Sequence, residues 1–177
     1  LAYTAATSDN VAGGTGESDF GAGMVSLIIG QRYQAGSGFW ALEASADLSF
    51  GAEAENPVTG YSCYEGSSGS YFCKQNATIR MVGIYGMPVG QGTEVFGSLG
   101  VGVLLGENSV NTNVVDSGAH YGLTVGLGLS QELASGMTLR GEVIYDRFER
   151  DNYNIPVDGG VSDVTGTTLR VSLLRKF

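Results

Sequence analysis

Basic residues are scarce in this chain. Nine lysines and arginines face eighteen aspartates and glutamates across 177 residues, for a formal net charge of −9. Nucleic-acid binding needs a basic patch to meet phosphate, so that class of partner is disfavoured. Long apolar runs are missing as well. None approaches the roughly 18 consecutive residues of a transmembrane helix, and mean hydropathy is only +0.06. A helical membrane protein is therefore excluded, whereas a membrane β-barrel, apolar at every second position, is not. Proline is rare, with three residues against 29 glycines, more than twice the usual glycine share of about 7%. No window carries a convincing 3.6-residue stripe, so helices are disfavoured throughout. One histidine and two cysteines offer too few ligands for a metal centre, and no cofactor is expected. The length fits a single domain over residues 1–177. A start at Leu1 rather than Met fits a mature, signal-cleaved chain.

What the sequence does have is alternation. Its end, from Thr165, reads T-G-T-T-L-R-V-S-L-L-R-K-F. Leu169, Val171, Leu173 and Phe177 share one parity, and Thr168, Arg170, Ser172 and Lys176 share the other. This is a β-strand with one oily and one polar face. The terminal aromatic suits a strand that ends at a membrane interface. Arg175 departs from the pattern, at a position where a long side chain can snorkel to water. Seven more strands are predicted upstream. They cover about Leu1–Ser8, Ala22–Gln34, Phe39–Gly51, Ala77–Pro88, Thr93–Gly106, His120–Leu133 and Thr138–Arg150. Most reach the roughly 9–11 residues a tilted strand needs to cross a bilayer.

The predicted connections alternate in length. Ala35–Ser37, Val89–Gly92 and Ala134–Gly136 are tight; Asp9–Gly21, Ala52–Asn76, Glu107–Ala119 and Asp151–Val164 are long. Short turns on one side and long loops on the other are the outer-membrane pattern, with the turns periplasmic and the loops outside. The faces of the strands differ sharply. In the sixth, Tyr121, Leu123, Val125, Leu127 and Leu129 oppose His120, Gly122, Thr124, Gly126, Gly128 and Ser130. In the third, Trp40, Leu42, Ala44, Ala46, Leu48 and Phe50 oppose Ala41, Glu43, Ser45, Asp47 and Ser49. The aliphatic face would serve as a sandwich core or as a lipid-facing band. The loop alternation and the terminal Phe177 favour lipid, and the small polar face then lines a lumen.

With these residues in place, the chain resembles the small eight-stranded outer-membrane proteins. These are the OmpA transmembrane domain, the OmpX/Ail group and alphaproteobacterial surface antigens. The resemblance rests on strand count, loop asymmetry, Leu42-Glu43, the I-R-M-V-G-I-Y of Ile79–Tyr85 and the terminal Phe177. It implies an all-β, eight-stranded antiparallel up-and-down barrel in the outer membrane of a Gram-negative bacterium. Leu169, Val171, Leu173 and Phe177 would be read by the barrel-assembly machinery. Membrane lipid and lipopolysaccharide would be the other partners, and nothing supports an oligomer.

Several residues are candidates for a role. Arg32, Arg80, Arg140 and Arg170 share the inward set with Glu43, Asp47, Glu142 and Asp146. Charges in a narrow lumen must be paired or hydrated. Glu142 with Arg170, and Glu43 with Arg80, lie on adjacent strands. The reading is a salt-bridge plug; the alternative is a proton or ion path. Cys63 and Cys73 both fall in the long second loop. An oxidising periplasm would join them, stabilising the loop by about 3 kcal/mol on a chain-entropy account; free thiols or a metal are the alternatives. Tyr33, Trp40, Tyr85 and Tyr121 are predicted girdle aromatics. His120 is expected at the loop-side rim, and a hydrolytic triad around it would need partners from other strands. The loops are acidic, with Glu53, Glu55, Glu65, Glu107, Asp116 and Asp158 among them; the readings are a solvated surface, cation bridging to lipopolysaccharide or capture of a basic partner. The function that follows is non-enzymatic: envelope structure and surface display, with binding or adhesion on the loops. A narrow, porin-like channel for small solutes is the alternative, and a lipid A-modifying enzyme is a third.

Overall fold

The computed structural model describes residues 1–10, 17–50, 70–110, 114–134, 136–149 and 161–175. These residues form eight strands: β1 (Ala2–Asn10), β2 (Glu17–Ala35), β3 (Gly38–Phe50), β4 (Ser70–Gly90), β5 (Thr93–Val110), β6 (Val114–Glu132), β7 (Met137–Glu149) and β8 (Val161–Arg175). Each pairs antiparallel with its neighbour in sequence, and β1 pairs with β8 to close a barrel. Up-and-down order is what tight hairpins enforce. Gly36, Gly92 and Gly136 supply the left-handed backbone of the three short turns, with φ of 59°, 71° and 74°.

Alternation places the side chains. Leu123, Val125, Leu127 and Leu129 of β6 point out and are exposed, while His120, Thr124 and Ser130 point in and are buried. The same holds around the wall, with Leu42 and Leu48, Ile79 and Met81, Leu99 and Val101, and Leu169, Val171 and Leu173 all exposed. A sandwich core would bury this face; here it is the outer belt.

The strands run further than the periodicity of their apolar residues predicted. β5 and β6 pair up to Val110 opposite Val114, through the expected loop Glu107–Ala119. β1 and β2 pair up to Asp9 opposite Glu17, and β4 starts at Ser70. An antiparallel backbone ladder needs no apolar face once it is in water, so these polar extensions carry no two-residue hydrophobic signal.

The interior is less polar than expected. Phe39, Ala41, Val82, Ile84 and Phe96 form a buried apolar cluster toward the short-turn end. Met24, Leu104, Phe148 and Val164 are buried nearer the other end. Gly86 and Gly128 make room for the two rings: a Cβ on either would collide with Phe39 or Phe96 respectively.

Candidate functional site: a charged lumen

An eight-stranded barrel has an interior just wide enough for side chains to fill. Between the two apolar layers it is filled by charge. Arg80 on β4 forks onto Asp146 of β7, with Nε donating to Oδ1 at 2.9 Å and Nη2 to Oδ2 at 2.5 Å. Its Nη1 donates to Asp47 of β3. Arg170 on β8 donates from Nε to Glu142 Oε1 at 2.5 Å and has Nη1 3.6 Å from Asp47. Arg140 on β7 donates to Glu142 at 2.9 Å and to both oxygens of Glu43 at 2.6 and 2.8 Å. Three guanidinium groups and four carboxylates are thereby linked from β3 and β4 across to β7 and β8. All but Glu43 are at most 3% exposed.

Burial of so much charge is tolerable only because every member has an opposite partner. Planar guanidinium groups suit the task, since one arginine can span two carboxylates on different strands. Saturation is incomplete: Asp47 Oδ1, Arg140 Nε and Arg170 Nη1 have no hydrogen-bond partner among the described residues.

The partners are not all those predicted. Glu142 and Arg170 face each other across β7 and β8. Glu43 and Arg80 do not bond; Glu43 reaches across the lumen to Arg140, and Arg80 takes Asp47 and Asp146. Arg32 is not part of the network. It pairs with Glu94 of β5, its Nη1 and Nη2 donating at 2.8 and 2.5 Å, and its guanidinium lies 3.6 Å from the Phe39 ring centroid. That pair is at the short-turn end and partly hydrated, with side-chain exposures of 38% and 21%. Glu94, the partner of Arg32, was not among the predicted inward charges. Phe39 and Phe96 were missed; Arg140 lies 4.5 Å over Phe96.

Beneath the network, toward the short turns, is a cavity of about 770 Å³ lined by Phe39, Phe96, Glu43, Arg140, Arg32 and Glu94, among others. His120 is wholly buried inside the wall rather than at the rim, because β6 extends beyond it to Val114.

Outside, Tyr33 and Trp40 stack with ring centroids 4.2 Å apart, and Trp40 is the ladder partner of Tyr85. These three exposed rings make a row near the short turns; Tyr121 is exposed toward the opposite end. Cys63 and Phe177 lie outside the described residues, and Cys73 is described only as a position on β4.

No protein-family profile matches the chain, and no curated protein sequence matches it. Among solved structures the chain is similar to the crystal structure of Neisserial surface protein A. The two share 13% identity, with 99% of this chain and 95% of that chain covered and a TM-score of 0.52. At that identity the likeness is one of fold alone: an all-β, antiparallel, up-and-down barrel.

Proposed function

We propose that the chain is a non-enzymatic outer-membrane barrel that stabilises the envelope and displays loops at the cell surface. One observation carries this reading. The aliphatic belt is outside, and the charges are inside. Water would invert that arrangement; hydrocarbon requires it. The short turns then face the periplasm, and the opposite ends of the strands face outward. The surface-protein neighbour supports such a role at this coarse level. The full enclosure of His120 supports a non-catalytic reading of that residue.

The network is a plug in this account. Liposomes carrying the folded protein should pass small solutes no faster than empty liposomes. Size-dependent flux would instead favour the narrow channel, a reading for which the 770 Å³ cavity speaks. Partner binding is assigned to the segment between β3 and β4. Replacing residues 53–69 with a short turn should spare folding and remove attachment; the replacement stops short of the predicted loop end at Asn76 because β4 begins at Ser70. Attachment that survives the replacement would refute the loop assignment.

A further inference from the structure

The outer belt is not an even cylinder. On β3 to β6, two neighbouring rows of ladder partners each lack one side chain. One row runs Trp40, Tyr85, Gly97, Leu127; the next runs Leu42, Gly83, Leu99, Val125. Gly97 on β5 and Gly83 on β4 are diagonal neighbours, so together they bare a patch of backbone on the outer wall. The result is a notch of about 680 Å³. Trp40, Tyr85, Leu99 and Leu127 border it, and the backbone of β4 and β5 around Gly83 and Gly97 is its floor. The rim stands proud, because Tyr85, Leu99 and Leu127 are all well exposed.

Depth and chemistry narrow the occupant. Gly97 lies four residues above Thr93 at the foot of β5, which in a tilted strand is about 10 Å from the short turns. Given the membrane reading above, on which this inference rests, the notch sits in the turn-side half of a belt about 25 Å tall. Trp40 and Tyr85 mark its lower end, at the depth where amphipathic rings meet headgroups. The ladders of β3 with β4, β4 with β5 and β5 with β6 pass through these rows without a register shift. An occupant therefore has no hydrogen bond to make, and an added strand has no edge to pair. A second barrel would rest on the protruding rim and leave the floor without contacts. An apolar cavity of roughly 150 Å³ already holds a benzene-sized molecule, so one side-chain knob falls far short of filling this notch. A slender hydrocarbon chain can enter it, and hydrocarbon is what the leaflet supplies.

We propose that the notch holds one acyl chain of a phospholipid from the turn-side leaflet, with the glycerol end beside Trp40 and Tyr85. The barrel then carries this lipid as a fixed part of its wall rather than as exchanging solvent. The two glycines make the site. A Cβ on Gly83 would meet nothing nearer than the Leu99 carbonyl oxygen at 3.8 Å, and one on Gly97 nothing nearer than Leu127 Cδ2 at 3.6 Å. The strands therefore accommodate larger side chains at both positions, and those side chains would occupy the space the acyl chain takes.

The test folds the protein into liposomes of phosphatidylethanolamine and phosphatidylglycerol with brominated chains, then extracts and washes it in mild detergent. Native mass spectrometry counts the retained lipid, and Trp40 fluorescence reports whether that lipid lies in the notch. The expected result is a barrel with one phospholipid bound and Trp40 quenched. Gly83→Leu and Gly97→Leu should each lose both the lipid and the quenching. Gly141→Leu should keep both, since Gly141 on β7 has open space at its missing Cβ but lies outside the notch. Wild-type barrels that wash free of lipid would overturn the inference. So would bound lipid that leaves Trp40 unquenched, a result that stands even where a variant fails to fold. Lipid that stays on both notch variants would overturn it as well, and so would a mass of two barrels without lipid, which would seat a second copy there. Failure of the membrane reading is separable, because the protein would then not enter the liposomes at all.

Discussion

Arg80 and Arg147 each form an ion pair with an aspartate, yet the two pairs occupy opposite environments. Arg80 is held between Asp47 and Asp146 with side-chain exposures of 2%, 0% and 2%. Arg147 meets Asp163 at 2.9 Å with exposures of 62% and 36%. Distance does not separate these pairs; the surrounding medium does. A hydrated pair gains little, since water already solvates both charges and salt screens them. An enclosed pair also gains little over an apolar replacement, but losing one member strands the other. The lumen therefore specifies a single arrangement of β3, β4, β7 and β8 more than it adds stability.

The sharpest way to break the comparison is Arg80→Met. It leaves Asp146 stranded and Asp47 with only the more distant Arg170, at 3.6 Å, and should cost about 3–5 kcal/mol, read as a lower urea midpoint in micelles. Adding Asp47→Leu and Asp146→Leu should recover most of that loss, because no charge is then stranded. Failure to recover would mean the network contributes net stability of its own. Next in size is Leu127→Arg on the outer belt. Leu127 is 70% exposed, and a cation near the bilayer midplane should cost roughly 2–4 kcal/mol, visible as poorer folding into liposomes but not as a change in solute flux. Arg32→Ala comes third. Its partly hydrated pair with Glu94 should be worth under about 1 kcal/mol. Arg147→Ala should leave the urea midpoint where it is, in low and high salt alike.

Much of this was legible from parity alone. Leu123 to Leu129 against Thr124 to Ser130 named the two faces, and the same two-residue count placed Arg80, Arg140, Glu142, Asp146 and Arg170 inside. Parity could not say which charge meets which. Glu43 and Arg80 lie on neighbouring strands, but strand tilt carries each side chain past its neighbour and across the lumen, to Arg140 and Asp146 respectively. Nor could the apolar pattern mark strand ends. The ladders of β5 and β6 run to Val110 and Val114 through Glu107, Asn108 and Asp116, where backbone pairing persists and no side chain needs to be greasy. Phe39 and Phe96 were hidden by a different effect. An aromatic on a face of glycine, serine and charge reads as an exception until Gly86 and Gly128 are seen to vacate the space it fills.

The central claim is that the outer face of this barrel meets lipid, and Trp40, the single tryptophan of the chain, reports on it directly. Trp40 points outward, stacked on Tyr33 near the short turns, where a girdle ring belongs at headgroup depth. Its fluorescence should be quenched in liposomes of brominated lipid, more by bromines close to the headgroup than by deep ones, and iodide in the buffer should have little effect. Quenching by iodide with none by any brominated lipid would place that face in water and contradict the account.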